Sequence, residues 1–334
     1  MPEPIRQLAG LAPGDLNEAL LTSTAPLVLR GLAARWPLVK AGLASQRCAS
    51  DYLRRYYRGD QVIALLGRPE IGGRFFYNED LSGFNFDSVR TSLASVLDEL
   101  DARRAEAQPP AIYVGSTEID TFLPGLRGEN DLGLEAQQPY VSIWLGNRTR
   151  IAPHYDLPDN IAVVAAGRRR FTLFPPNQLD NLYIGPLDFT PAGQPISMVD
   201  LHRPDLQRFP RFAEAQKHAL TAELGPGDAI FIPSMWWHHV EALDPFNILV
   251  NYWWRQSPPY MDTPTNALML ALLTVRDLPP AQRAAWRDIF LHYVFDADGS
   301  EAAHIPPAAR RVLAPLDDTM ARTLRSQIIN RINR

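Results

Sequence analysis

Apolar and polar positions change rhythm twice along the chain. Up to about residue 60 the spacing is helical and mixed, with Asp15 to Leu21 fitting a helix and one β-rich run, Pro26-Leu27-Val28-Leu29-Arg30-Gly31, closed by glycine. Val89, Leu93, Val96, Leu97 and Leu100 recur at helical intervals within 87–107, where Asp87 or Ser88 supplies a cap. From Ala111 to Trp254 short β-rich runs stand between Gly, Pro, Asn and Asp breaks: Ala111–Val114, Tyr140–Leu145, Asn160–Ala165, Arg169–Phe174, Ala229–Ile232 and Asn247–Trp254. Many short strands without long helices between them predict a mainly β sandwich or barrel. The stretch 177–222, rich in Pro, Asp and Arg, reads as an insertion or crossover loop. Past it, Thr263-Pro264 opens a helix whose centre, Ala267 to Leu273, is apolar on all sides, which predicts a sandwiched helix. Leu316, Met320, Leu324, Ile328 and Ile332 form a second stripe on an otherwise charged helix.

Composition narrows the picture. The 334 residues are 46% hydrophobic with seven Trp, enough for a sizeable core. A net charge of −4 argues against a general nucleic-acid binder and against a polybasic membrane protein. No apolar run approaches the ~20 residues that span a bilayer. The start, Met1-Pro2-Glu3-Pro4, has no signal-peptide character, so a soluble cytoplasmic protein is expected. A single cysteine, Cys48, excludes an internal disulfide, a Cys-based zinc site and an iron–sulfur cluster. Lys40 and Lys217 are the only lysines; every other basic residue is Arg, a chain-wide bias.

Among seven histidines, His154-Tyr155-Asp156 is notable because alternate residues of a strand share a face, so His154 and Asp156 can aim at one point. A second candidate lies in Phe231-Ile232-Pro233-Ser234-Met235-Trp236-Trp237-His238-His239-Val240. Two imidazoles and one carboxylate leave three open positions on a metal, the facial triad of non-haem Fe(II) oxygenases. The bland alternative for His-x-Asp alone is a chance pair with a satisfied core histidine.

In these motifs the chain resembles the JmjC/cupin-like 2-oxoglutarate- and Fe(II)-dependent oxygenases, most of all the factor-inhibiting asparaginyl hydroxylase type. The matching stretches are His154-Tyr155-Asp156 with Asn160, Gly167-Arg168-Arg169-Arg170-Phe171-Thr172-Leu173-Phe174-Pro175-Pro176, Gly225-Pro226-Gly227-Asp228, Ile232 to His239, and Val250-Asn251-Tyr252-Trp253. They cover roughly 110–255, with a looser match at Pro26 to Gly31 and Trp36-Pro37. The fold implied is a double-stranded β-helix, the jelly roll of cupin and JmjC proteins, with flanking amino- and carboxy-terminal helices. The segments are then a mixed α/β part at 1–110 packing on the barrel, a catalytic core at 111–258 and a helical part at 259–334.

By the resemblance, His154, Asp156 and His238 are the iron ligands and catalytic residues, His238 being the first His after the Trp pair. Arg169 falls where the family anchors the 2-oxoglutarate carboxylate; closest relatives have Lys there, but a guanidinium holds a carboxylate through two parallel hydrogen bonds. The alternative is that Arg168, Arg169 and Arg170 are a solvated edge. Tyr113, Asn160 and Asn251 match cosubstrate-binding positions; the alternative for the two amides is satisfaction by backbone. The family's threonine falls on Ile151, which cannot hydrogen-bond; Thr149 and Arg150 are the candidates to compensate. Asp156 favours oxygen insertion over halogenation, which needs a small residue there.

The reaction implied is oxidative decarboxylation of 2-oxoglutarate with O2 to succinate and CO2, coupled to hydroxylation of a protein side chain or small molecule. Alternatives are a catalytically silent cupin-like metal-binding protein and a zinc-dependent cupin enzyme. The acidic balance argues against a nucleic-acid substrate, and Gly73-Arg74-Phe75-Phe76-Tyr77 suits either a substrate entrance or a core strand. The family's carboxy-terminal helices commonly pair across a two-fold axis, so a homodimer through residues 259–334 is expected; the alternative is that these helices pack on their own barrel.

Overall fold

The computed structural model describes residues 2–191 and 193–333, which divide into two compact units, one up to Gln256 and one from Ser257 onward. The first unit carries fifteen strands. The early ones are β1 (Glu3–Pro4), β2 (Gln7–Ala9), β3 (Leu27–Arg30), β4 (Gln61–Gly67), β5 (Arg74–Phe75), β6 (Phe86–Ser92) and β7 (Ala111–Glu118). They are followed by β8 (Tyr140–Gly146), β9 (Arg150–His154), β10 (Asp159–Ala166), β11 (Arg169–Phe174), β12 (Leu220–Leu224), β13 (Ala229–Ile232), β14 (Trp237–Ala242) and β15 (Asn247–Trp254). They form a six-stranded sheet, β1-β12-β11-β14-β9-β5, and a nine-stranded sheet, β2-β3-β13-β10-β15-β8-β7-β4-β6. This is the expected jelly roll.

Strand β10 shows why the two sheets stack. All eight of its residues are buried. Ala162 and Val164 point to the inter-sheet core with Phe171, Leu173, Ile230 and Val240. Ile161, Val163 and Ala165 point the other way, into a core shared with Leu38, Val39 and Leu53. Those belong to α2 (Pro37–Ala44) and α3 (Gln46–Tyr56), so helices seal the outer face of the large sheet. The approach is close enough that a Cβ on Gly42 of α2 would stand 2.4 Å from the Ala165 carbonyl oxygen. A continuous apolar run such as Ile161 to Ala166 is what burial on both faces requires.

Several expectations are corrected. The helix read over 87–107 begins only at Leu93, and Ser92 caps it by accepting the Ser95 N–H. Phe86–Ser92 is instead strand, paired antiparallel along the whole of β4. The expected helix at Asp15 to Leu21 shrinks to Glu18–Leu21, capped by Asn17. The 177–222 stretch contains a helix, Phe212–Lys217, and the start of β12, and it packs Leu182, Val199 and Phe212 against Phe174 and Trp237.

In the second unit, helix Pro264–Thr274 starts at the predicted Thr263 cap, but it is not sandwiched: Leu268, Met269 and Leu273 are exposed. Helix Asp318–Ile332, capped by Asp317, buries Ala321 and leaves Ile328, Ile329 and Ile332 exposed. Among the described residues, no helix is long and apolar enough to cross a membrane.

Candidate active site

A cavity of about 410 Å³ opens between the two sheets, and His154, Asp156 and His238 line it together. His154 and His238 are direct cross-strand partners on β9 and β14, which sets their rings 4.2 Å apart between centroids. Each Nδ1 is 2.9 Å from a backbone carbonyl, that of Ala152 for His154 and of Trp236 for His238. With Nδ1–H donated, both Nε2 lone pairs are left for a common target, the arrangement that metal-binding histidines adopt. Asp156 is not on the strand as expected; it lies just past the end of β9, with Oδ2 3.5 Å from His238 Nε2. The three donor atoms lie within 4.8 Å of one another.

The turn between β13 and β14 holds this corner. Met235 adopts φ 67°, rare for a residue with a side chain, and its N–H donates to the Asp156 carbonyl at 2.9 Å. Ser234 donates its N–H to Asp159 Oδ1 at 2.9 Å and its hydroxyl to the Leu157 carbonyl at 2.7 Å. The chain segment bearing Asp156 is thus clamped to the one that leads into His238.

Electrostatics keep the donors in metal-ready form. Burial pushes the His154 imidazole down to about 4, helped by His238 and opposed by Asp156, so it is neutral at pH 7. Burial works against ionisation of Asp156, but the neighbouring His238 and His154 outweigh it and hold the carboxyl below its usual range.

Arg169 lines the same cavity and is 2% exposed. Its neighbours Arg168 and Arg170 point outward to Glu223, Asp244 and Glu241, so the solvated-edge alternative describes them and not Arg169. Burial lowers Arg169 to about 10, with Tyr113 opposing, which leaves it charged. Yet its Nε and Nη2 have no hydrogen-bond partner. An unpaired buried cation costs several kcal/mol on the order expected for desolvation, so it calls for an anionic ligand. Tyr113 lies in the cavity wall, its phenol pushed up by burial and by Asp156, with Arg169 opposing. Asn251 donates to Asn160 Oδ1 at 2.8 Å while its own Oδ1 has no partner, so the pair lines the cavity only partly satisfied. Ile151 also lines the cavity, whereas Arg150 is turned away to Asp200 and the Gly72 carbonyl. Thr149 is buried outside the lining.

Reasoning on motifs missed Trp144, Trp253 and Arg255, all in the lining. The period of two from Asn251 through Trp253 to Arg255 was the available sign. Phe75, from the Gly73–Tyr77 run, is part of the wall as well, with its ring centroid 5.7 Å from that of Tyr113.

A model of the cupin-like domain matches residues 13–260, the span that holds this whole cavity. The chain belongs to the cupin-like domain family. It is similar to HSPB1-associated protein 1 of Bos taurus, 32% identical over 300 residues that cover 82% of this chain and 57% of that protein. It is also 32% identical to lysine-specific demethylase JMJ31 of Arabidopsis thaliana, over 76% of this chain and 51% of that protein. The tRNA wybutosine-synthesizing protein 5 of Mus musculus is 32% identical over 268 residues, covering 76% of this chain and 79% of that protein. Against HSPB1-associated protein 1, the chain spans from a third to just over half of the relatives' length.

Proposed function

We propose that this protein is an Fe(II)- and 2-oxoglutarate-dependent hydroxylase acting on a protein side chain or a small molecule. One observation carries the reading: a buried guanidinium, Arg169, left without a protein partner in the same cavity as two imidazoles and a carboxylate. His154, Asp156 and His238 would hold the iron through the two free Nε2 atoms and the Asp156 carboxylate. Bound iron would supply activation of O2 and of the keto acid. Arg169 would take the far carboxylate of 2-oxoglutarate through charge-assisted hydrogen bonds, with the Tyr113 hydroxyl as a second donor. Asn160 and Asn251 would offer amide dipoles beside the keto acid. Trp144, Ile151 and Trp253 would give the cavity apolar walls, and Arg255 and Gln194 would offer polar groups to a substrate. The net charge of −4 favours a substrate other than nucleic acid. The overall reaction balances as substrate, 2-oxoglutarate and O2 giving hydroxylated substrate, succinate and CO2.

The test is succinate formation from 2-oxoglutarate under Fe(II) and air, with candidate peptides and small metabolites added to raise the rate. Metal retained with no succinate, in the presence or absence of added substrates, would favour the silent cupin. Activity sustained by zinc under anaerobic conditions would favour the zinc-dependent cupin enzyme.

The proposal includes a homodimer through residues 259–334. Leu268, Met269, Leu273, Ile328 and Ile332 are exposed apolar side chains on helices Pro264–Thr274 and Asp318–Ile332 of that unit, the material an isologous interface uses. Leu324→Arg should yield monomer. Light scattering that finds the wild type monomeric at tens of micromolar, roughly the range where a modest interface forms, would end this part.

A further inference from the structure

Because strand residues alternate, β14 sends His238 and Val240 into the cavity and Trp237, His239 and Glu241 to the opposite face of the six-stranded sheet. There the 177–222 stretch lies over it and brings His202 against Glu241, with His202 Nε2 in contact with Glu241 Oε1. His239 Nε2 stands 3.9 Å from Glu241 Oε2. One donor atom from each of His202, His239 and Glu241 falls within 4.8 Å of the other two.

His239 is the informative member. It is 5% exposed, and its Nδ1 is committed to the Ile151 carbonyl at 2.6 Å. With that nitrogen donating, Nε2 carries the lone pair, and it has no partner. A buried nitrogen lone pair aimed at a buried carboxylate is repelled by it unless a cation stands between them. Glu241, also 5% exposed, has Arg170 at 3.6 Å, but Arg170 is shared with Glu223 at 3.5 Å. The other nearby guanidinium, Arg150, is matched by Asp200 at 3.3 Å. Both arginines therefore keep a carboxylate if Glu241 turns to another cation.

We infer that His202, His239 and Glu241 form a second metal site, for a divalent cation of the zinc class, on the outer face of β14. Two imidazole nitrogens and one carboxylate oxygen suit tetrahedral Zn2+, and the half-exposed His202 side leaves room for a water as the fourth ligand. Oxygen-seeking Mg2+ and Ca2+ are poorly served by such a donor set. The cation would replace the proton that now joins His202 to Glu241. It would tie the 177–222 stretch, which contributes Pro191, Gln194 and Ile196 to the cavity wall, to the residue next to His238.

Zinc itself is the probe, counted per chain on the full-length protein after equilibration with the metal and desalting. The wild type should retain two equivalents, one at each site, and His202→Ala one. His202 is on the surface, so its loss spares the fold. The double variant His154→Ala/His238→Ala should keep one equivalent, which adding His202→Ala removes. In that background the zinc count reports on the outer site alone, so it stands or falls separately from the oxygenase reading. One equivalent in the wild type, or a second that survives His202→Ala, overturns the inference. Limited proteolysis within 177–222 should slow when zinc is added to the double variant; an unchanged rate would overturn the fastening role.

Discussion

Strands β11 and β14 present two faces that treat charge in opposite ways. On the outer face, Arg168 meets Glu223 and Asp244, each at 3.0 Å, and Arg170 meets Glu223 and Glu241. The arginines are about half-solvated and Glu241 is buried, and each of these charges has a protein counterpart. One residue along, on the inner face, Arg169 is enclosed and its guanidinium meets no carboxylate among the described residues. Exposed ion pairs add little to stability, whereas a buried unpaired cation is strongly unfavourable. A fold that retains the second kind does so for something outside the chain. On β14 the inner face turns His238 toward His154 and Asp156, while on the outer face His239 keeps a buried nitrogen without a partner.

The comparison breaks most completely at the metal donors. Changing His154, Asp156 or His238 to Ala should abolish stoichiometric Fe(II) binding, measured after anaerobic reconstitution, while His239→Ala should retain iron. Iron lost in His239→Ala and kept in His238→Ala would reverse the two faces. Next in size, Arg169→Ala should weaken 2-oxoglutarate binding by about ten- to hundred-fold, the worth of one charge-assisted pair. Arg168→Ala should leave it unchanged, and calorimetric titration of both variants would expose a shared loss if the faces were not distinct. A smaller effect is set by acid. Burial holds both His154 and His239 down to about 4, so the folded metal-free protein takes up these protons only there. The unfolded chain takes them up near 6.5. Stability from this source is therefore whole above pH 6.5 and declines as pH falls from there toward 4. Urea midpoints at pH 7 and pH 5 that coincide would contradict it.

His-x-Asp and the later Trp-Trp-His were visible as motifs, but only the resemblance joined them into one donor set, which the fold brings together. Arg169 came from the resemblance alone; what the structure adds is that it faces in while Arg168 and Arg170 face out. Phe86–Ser92 was not readable as a strand, because Val89 and Leu93 also satisfy a helical interval. Pairing with β4, a contact twenty-five or so residues away in sequence, overrode the local period, as tertiary context does. Asp156 was misplaced on the strand because nothing in its own neighbourhood announces the Met235 turn that captures its carbonyl. Trp144 was hidden within an apolar run where every position looked like core, and His202 sat in a stretch whose composition marked only a loop.

Strand β10 is paired on one edge with β13 and on the other with β15, and all eight of its residues are buried. Amide hydrogens of Ile161 to Val164 can exchange with solvent only when both sheets come apart, which places them at the slowest end of hydrogen exchange. Asn160 begins that strand, so the cavity wall it belongs to does not breathe on its own. The wall lined by Pro191, Gln194 and Ile196 is built differently: Ile196 meets β9 through one isolated bridge to His154.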